Sequence, residues 1–273
     1  MKIATWNVNS LRTRLAHLDQ WLAGAAPDVL ALQETKVVDG DFPSGFFESR
    51  GYRVAFSGQK SYNGVAVASR VPMTVLMREL PGLDDPQRRV LAVEAGGATI
   101  VNLYVPNGSA IDSEKYQYKL RWLDSLIDCT RGLLGSGRPT VLLGDFNIAP
   151  ADCDVHDPKA WEGGVLVSAP ERERLERLMD IGLVDCFRAL EPDGGGFTWW
   201  DYRAAAFRRN LGLRIDLILA DRAFASHCRE CLVDTGPRRL EKPSDHAPVL
   251  ARFETPFTAE AQVPRAGTET GSG

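Results

Sequence analysis

The segment Glu241-Lys-Pro-Ser-Asp-His-Ala-Pro-Val-Leu250 places a carboxylate, Asp245, beside an imidazole, His246, directly ahead of an apolar run. Its two prolines keep the segment out of a helix, and the serine and aspartate before His246 can hydrogen bond to nearby backbone. The apolar residues that end the segment are typical of a buried strand. The sequence therefore predicts that His246 lies at the rim of a sheet and faces a cleft.

Other polar side chains occupy similar positions along the chain. The apolar run at 139–143 is followed by Gly144-Asp-Phe-Asn147, and alternation along a strand predicts that Asp145 and Asn147 share one face. Three more acid or amide residues stand at the end of an apolar run or within one: Asn7, Glu34 and Asp216. A single acid after a strand is most often a turn residue, but independent turn residues would not interrupt apolar strands so regularly. The joint pattern predicts one shared polar cleft.

Length and composition favour a single large domain. The chain has 273 residues, of which 44% are hydrophobic, and it contains no low-complexity linker. We expect one domain over residues 1–255 and a disordered tail over 256–273, where Ala, Thr, Gly and Glu replace the apolar periodicity.

No segment resembles a membrane span or a signal peptide, so we expect a cytoplasmic protein without membrane association. The five cysteines are odd in number and mostly scattered, which argues against a disulfide framework. The pair Cys228 and Cys231 has no second pair of zinc ligands in the sequence, so we interpret these thiols as structural.

The net charge of −4 is unfavourable for binding nucleic acid, because Lys and Arg supply much of that affinity. The segment from Arg203 to Arg214, however, carries four arginines and no acid. If it lies at the rim of the cleft, it would bind a phosphate backbone. Arg12, Arg14 and Arg238 could contact the phosphate backbone as well, but they are equally consistent with solvated surface.

Seven motifs resemble, in order, those of the exonuclease III type of abasic-site endonuclease. They are Trp6-Asn-Val-Asn9, Leu32-Gln-Glu-Thr-Lys36, Tyr104-Val-Pro-Asn107, Gly144-Asp-Phe-Asn147, Phe197-Thr-Trp-Trp200, Gly212-Leu-Arg-Ile-Asp216 and Ser244-Asp-His246. The likeness runs from about residue 1 to residue 253. The wider superfamily includes pancreatic deoxyribonuclease, inositol polyphosphate phosphatases, sphingomyelinases and deadenylases. It shares the Glu, Asp-x-Asn and Ser-Asp-His motifs, which by themselves imply only a metal-dependent phosphoesterase.

The remaining motifs are similar to the DNA repair branch. These are the segments 197–203, 214–216 and 242–246, and the Trp-Cys-Asp-Arg element expected of inositol phosphatases is absent from the sequence. The resemblance therefore favours DNA over a lipid headgroup as substrate.

Strand-like runs outnumber helical patterns. Helices are predicted from near Asp112 to just before Gly135, from Pro170 to Gly182, and after Asn9 or Ser10, either of which can act as a cap. This count fits an α+β fold of two packed sheets with helices outside. The resemblance implies a four-layer α/β/β/α sandwich of two mostly antiparallel sheets, as in deoxyribonuclease, with the active site in the cleft at one end.

A hard divalent cation is implied by the family and by the residues. Glu34, with Asn7 beside it, is the best ligand candidate for Mg²⁺ or Mn²⁺, which prefer carboxylate and carbonyl oxygens. Asp145 and Asn147 are further candidates. Asp245 could bind a second metal or support the other polar residues of the site through hydrogen bonds, and the sequence leaves both alternatives open.

The catalytic roles follow from the resemblance. Asp145 would orient and deprotonate the attacking water, with Asn147 as a hydrogen-bond partner of the water or the phosphate. His246 would donate to a phosphate oxygen while Asp216 fixes its orientation. Tyr104 would contact the phosphate or the leaving group.

Specificity is assigned to a second group of residues. Trp199, Leu213 and Ile215 would form a small apolar pocket that accepts a sugar without its base, because such a sugar is extruded from a duplex at low cost. Ala110 stands where the vertebrate-type enzymes are expected to insert an arginine, and Arg203 would fill part of that role. The other predicted substrate contacts are Asn9, Lys36 and Asn107.

The resulting prediction is a Mg²⁺- or Mn²⁺-dependent DNA repair nuclease. It would act on double-stranded DNA, cut 5′ to abasic sites, and remove 3′ blocking groups or nucleotides to leave 3′-hydroxyl ends. We expect a monomer that acts at the nucleoid. The alternatives are a phosphatase of inositol phosphates or other small molecules and an inert DNA-binding module, and the full set of polar residues argues against the second.

Overall fold

The computed structural model describes residues 1–254, and the predicted disordered tail at 256–273 lies outside the described residues. The strands are β1 (Lys2–Asn7), β2 (Val29–Gln33), β3 (Arg53–Ser57), β4 (Val65–Ser69), β5 (Met73–Met77), β6 (Val90–Ala95), β7 (Ala98–Tyr104), β8 (Thr140–Asp145), β9 (Leu183–Asp185), β10 (Trp199–Trp200), β11 (Gly212–Leu213), β12 (Asp216–Asp221), β13 (Cys228–Val233) and β14 (Val249–Phe253). The helices are α1 (Leu11–Ala25), α2 (Ser44–Glu48), α3 (Glu114–Gly135), α4 (Pro158–Trp161), α5 (Ala169–Asp180), α6 (Cys186–Leu190) and α7 (Arg222–Ala225).

Twelve of the strands form two six-stranded sheets. One has the order β13-β14-β1-β2-β4-β3 and the other β5-β6-β7-β8-β12-β9, while β10 and β11 form a short ribbon. Within the described residues each large sheet contains one parallel pair, β1 with β2 and β7 with β8, and its other pairs are antiparallel. The predicted mostly antiparallel character is confirmed.

Side-chain alternation separates the layers. On β2, Val29 and Ala31 pack into the core between the two sheets, while Leu30 and Leu32 pack in the cluster beneath α1. The second sheet buries its other face, including Leu142 of β8, against α3 and α5. Helices therefore cover both outer faces, and the four-layer sandwich is confirmed.

Local signals explain the helix starts. Ser113 caps α3, because its Oγ accepts the backbone N–H of Tyr116 at 3.1 Å. Ser168 caps α5 in a capping box with Glu171. Ser10 does stand at the cap position of α1, but its hydroxyl bonds to Thr13 Oγ1 at 3.0 Å and not to the helix backbone. The predicted side-chain cap was therefore wrong for α1.

The carboxyl ends of the parallel strands meet at one edge of the sandwich. There β8 and β12 pair so that Asp145 lies opposite Asp216, and β7 brings Tyr104 beside Asp145. The close approach of β8 to β7 requires Gly144, whose φ is +141°, because a Cβ at this position would overlap the carbonyl oxygen of Leu103. This edge collects the polar strand-end residues.

Among residues 1–254, no helix has the length and apolar character that crossing a bilayer requires. All five cysteines carry free thiols.

Candidate active site

Three ionisable side chains form the centre of the polar edge. One potential ligand atom from each of Glu34, Asp145 and His246 lies within 4.8 Å of the others. Asp145 and His246 are buried, whereas Glu34 is half-buried. The carboxylate oxygens of Glu34 and Asp145 fit a divalent cation that prefers oxygen ligands. The three side chains lie next to the ends of β2 and β8 and just before β14, so the folded sheets bring them together.

His246 is held by Asp216. Its Nδ1 lies 2.8 Å from Asp216 Oδ2, and its Nε2 lies 3.7 Å from Asp145 Oδ2. Burial alone would lower the pKa of His246, but the charges of Asp216 and Asp145 outweigh burial and raise that pKa to about 10. The imidazolium therefore persists at neutral pH, where both ring nitrogens are donors.

Asp145 is a carboxyl group with an elevated pKa. Burial raises this pKa to about 7, and the negative charges of Asp216 and Glu34 add to the effect, while His246 and the Asn7 amide oppose it. Asn7 Nδ2 donates at 2.9 Å to Asp145 Oδ2 and at 2.9 Å to Glu34 Oε1. One amide group thus bridges the two carboxylates.

Asn147 reaches the site by a turn. Strand β8 ends at Asp145, and Asn147 has a left-handed φ of 50°, so alternation along a strand is not what brings the two residues together. The Asn147 N–H donates to Asp145 Oδ1 at 2.9 Å. Asn147 Oδ1 accepts from Asn107 Nδ2 at 3.0 Å, and its Nδ2 donates to Val105 O at 2.9 Å. The Asn147 amide is therefore fixed from both sides.

Asp245 accepts a hydrogen bond from the protein on each of its two oxygens. Its Oδ1 accepts from Asn9 Nδ2 at 2.8 Å and its Oδ2 from Trp199 Nε1 at 3.0 Å. Lys36 donates to Asn9 Oδ1 at 2.6 Å and pairs with Glu34 at 2.8 Å. Burial would raise the pKa of Asp245, but the His246 charge and these hydrogen bonds lower it. Asn9, Lys36 and Asp245 thus form one chain that leads to Glu34.

Tyr104 lies at the same edge. Burial, followed by the charges of Glu34 and Asp145, raises its pKa well above the ordinary value. The guanidinium of Arg89 stands 4.7 Å from the Tyr104 ring. Tyr104 is therefore a neutral hydroxyl beside the carboxylates.

The three predicted pocket residues differ in exposure. Leu213 and Ile215 are 0% and 1% exposed and belong to an apolar cluster, whereas Trp199 is only partly buried against that cluster. Trp161 meets Trp199 edge to face, with ring centroids 6.4 Å apart. Of the three predicted residues, only Trp199 is partly exposed, and the other two belong to the apolar cluster that it packs against.

The predicted basic rim is only partly exposed. Arg203 is 88% exposed at its side chain and pairs with Asp201 at 2.6 Å. Arg214 is buried and its Nε bonds to Asp154 Oδ1 at 2.6 Å, while Arg238 is buried and donates to the Ser244 carbonyl. The expectation of rim charges was wrong for Arg214 and Arg238, because buried acceptors, Asp154 for Arg214 and the Ser244 carbonyl for Arg238, hold both side chains inside the protein.

Several supporting residues were missed in the sequence. Thr198 Oγ1 accepts the N–H groups of Ile215 and Asp216, each at 3.0 Å, and nothing in the local sequence signals this contact. Lys119 is fully buried on α3, and its position three residues after Tyr116, on the apolar face, was an available signal.

Ser244 bonds to the Asn7 carbonyl at 2.7 Å, in keeping with its predicted role of bonding to backbone.

Comparisons with known proteins agree with this geometry. The sequence model of the Endonuclease/Exonuclease/phosphatase family matches residues 4–246. Exodeoxyribonuclease III of Haemophilus influenzae is 36% identical over 267 residues, which cover 93% of this chain and 100% of that protein. A 3′ phosphatase from Neisseria, solved bound to a product DNA hairpin, is 46% identical with a TM-score of 0.91 and coverage of 93% and 100%. An AP endonuclease from Archaeoglobus fulgidus is 40% identical with a TM-score of 0.90 and the same coverage.

Proposed function

The chain belongs to the endonuclease/exonuclease/phosphatase family, and we propose that it is a divalent-metal-dependent DNA repair nuclease with 3′-end processing activity. The observation that carries this proposal is the convergence of Glu34, Asp145 and His246 within 4.8 Å at the end of the sandwich. We further propose that its substrates include abasic sites, cut on their 5′ side, and blocked or recessed 3′ ends. The products carry 3′-hydroxyl groups.

The metal site is assigned to Glu34 and Asp145, with Asn7 holding both carboxylates in place. A bound Mg²⁺ or Mn²⁺ would supply positive charge to the phosphate and to the leaving oxygen. Asp245 is assigned a supporting role, because it stands outside the group of Glu34, Asp145 and His246 whose potential ligand atoms lie within 4.8 Å of one another, and it bonds to Asn9 and Trp199. Asn147 is likewise assigned to positioning.

Asp145 is the proposed base. In the metal-free protein burial raises its pKa to about 7, and a bound cation would favour the carboxylate form that can accept a proton from water. The imidazolium of His246 donates to a phosphate oxygen, and Asp216 keeps it charged and oriented. Tyr104 remains protonated and can donate to the phosphate or the leaving oxygen.

Substrate contacts are assigned to the residues around this centre. The partly exposed indole of Trp199 would contact the sugar of an abasic nucleotide, with Leu213 and Ile215 fixing the indole. Arg203, Asn107, Asn9 and Lys36 would contact the DNA backbone, Arg203 being the most exposed of them.

The relatives support DNA as the substrate, since the Neisseria structure contains a DNA product. The specificity for abasic sites in double-stranded DNA, the monomeric state, the single domain over residues 1–255 and the action at the nucleoid in the cytoplasm remain predictions. A gel filtration run with light scattering tests the oligomeric state directly.

The function can be tested with two labelled duplexes. One carries a central abasic analogue and the other a recessed 3′ end, and each is incubated with Mg²⁺ or with a chelator. A metal-dependent cut 5′ to the lesion would identify abasic-site cleavage, and a ladder from the recessed end would identify exonuclease activity. Asp145→Asn is the matched inactive control. If the wild-type protein cleaves neither duplex, the nuclease proposal is wrong and a small phosphate ester becomes the substrate to test.

A further inference from the structure

A buried ion pair lies directly behind the loops of the site. Lys119 of α3 and Glu171 of α5 contact each other, and neither side chain has exposed surface. Lys119 Nζ also donates to the carbonyl oxygen of Asn147 at 2.7 Å and to that of Asn107 at 3.1 Å. A buried ion pair is on average no more stabilising than well-packed apolar residues, so stability alone does not account for this one. Its other contacts indicate a different role.

Glu171 extends the same network to a third loop. Its Oε1 accepts the N–H of Leu166 at 3.1 Å, and its Oε2 accepts the N–H of Ser168 at 3.1 Å. The loop that ends at Ser168 also bonds to the loop after β8, because the N–H of Ala149 donates to Leu166 O at 2.7 Å. One ion pair therefore connects the helical layer to three loops at the polar edge.

Gly108 shows how closely the loop after β7 lies on the lysine. Its φ is +95°, and a Cβ at this position would lie 3.2 Å from Lys119 Cδ and 3.3 Å from Tyr116 Cδ2. The loop is thus packed against the aliphatic stem of Lys119 while its Asn107 carbonyl accepts from the ammonium group.

The hydrogen bonds of Lys119 help to fix the position of Asn147. Its backbone is left-handed, a conformation that Asn adopts more readily than most residues other than glycine, and neighbouring groups hold it there. Lys119 holds its carbonyl, Asn107 holds its side-chain oxygen, and its N–H in turn holds Asp145 Oδ1. Lys119 therefore lies two hydrogen bonds away from the proposed base.

We propose that Lys119 is a positioning residue for the reaction, which sets the geometry of Asn147 and Asp145 from behind the site. This inference rests on the proposed nuclease function for its kinetic consequence. Its structural consequence, that Lys119 orders the loops after β7 and β8, does not depend on that function.

The test is the double variant Lys119→Met/Glu171→Gln, which removes both charges together and leaves glutamine to complete the capping box. The matched control is Asp124→Asn/Arg174→Met, which removes a partly exposed ion pair of 3.0 Å between the same two helices. Amide hydrogen exchange over residues 105–110 and 146–150 should become at least about tenfold faster in the first variant and stay unchanged in the control. With a recessed 3′-end duplex, kcat should fall about 100-fold while KM stays within about threefold, because a misplaced base affects the chemical step.

Unchanged amide hydrogen exchange in these loops would overturn the proposal for Lys119 even if the wild-type protein cleaves no DNA. Failure of this proposal can therefore be distinguished from failure of the proposed nuclease function. Faster exchange with wild-type kcat would reduce Lys119 to a structural residue and also overturn it. If the double variant does not fold, Gly108→Ala provides the second test, because its Cβ would press against the Lys119 stem and strain the loop backbone while leaving the ion pair intact. A comparable loss of kcat in Gly108→Ala supports the proposal, and wild-type kcat contradicts it.

Discussion

Replacing Asp216 with asparagine should move the alkaline limit of activity. The pKa of His246 is about 10 in place of 6.5, a difference worth about 5 kcal/mol at 1.36 kcal/mol per unit. Asp216 makes the largest favourable contribution, through its charge and its 2.8 Å contact with Nδ1. An opposite charge at this distance shifts a pKa by about 1–3 units, so the pKa of His246 should fall to about 8 in the variant.

The expected kinetics follow from the protonated fraction of His246. With a pKa of about 8, the imidazolium is still the main form at pH 7 but only about a tenth of the molecules carry it at pH 9. The variant should therefore lose about tenfold more activity at pH 9 than at pH 7, relative to the wild type. In the wild type, kcat/KM should rise as Asp145 loses its proton near pH 7 and fall as His246 loses its proton near pH 10. Saturating metal should move the first limb below pH 7, because a cation favours the carboxylate.

The assay is single-turnover cleavage of a recessed 3′-end duplex from pH 6 to pH 10. The control is Asp221→Asn, at the other end of the same strand, where the carboxylate accepts the N–H of Thr140 at 2.7 Å and lies outside the site. Its profile should overlay that of the wild type. An alkaline limb that stays in place in Asp216→Asn would refute the assignment of a charged His246.

Three further changes test other parts of the site and the fold. Glu34→Gln should raise the Mg²⁺ concentration for half-maximal rate by about 10- to 100-fold, since it removes a charged ligand; an unchanged metal titration would exclude Glu34 as a ligand. Trp199→Ala should reduce cleavage at an abasic analogue by about 10-fold or more while Trp199→Phe retains most of it, and equal losses on an undamaged recessed end would contradict a pocket role. Gly144→Ala should lower the free energy of unfolding by about 3 kcal/mol or more in urea denaturation, because its Cβ would overlap the Leu103 carbonyl; a near-native midpoint would show that the strands can separate there.

The strands and the polar residues at their ends could be predicted because both signals are local. Short apolar runs identified β2 and β8, and an acidic residue, Glu34 or Asp145, marked where each run ends. The resemblance then related Glu34, Asp145 and His246 to one site, although 212 residues separate the first from the last. Local patterns alone do not determine such a pairing.

Exposure and long-range partners could not be predicted. Arg214 looks in the sequence like one more surface arginine, yet Asp154 and Asp185 hold it in the interior at 2.6 Å and 2.8 Å. Asn147 was placed by strand alternation, although a left-handed turn brings it to the site. In each case a contact between distant segments overrides the local pattern.

The pairing of β1 with β14 has a consequence for synthesis of the protein. Lys2 lies opposite Arg252, and both strands lie inside their sheet, away from its edges. While the ribosome is still making the middle of the chain, β1 lacks one of its two neighbours, and contacts of such high sequence separation form late in folding. A nascent chain that stops before His246 would carry Glu34 and Asp145 without the positively charged imidazole ring of His246 beside them. An interrupted translation product should therefore be an unfolded target for proteases and not a partially active nuclease.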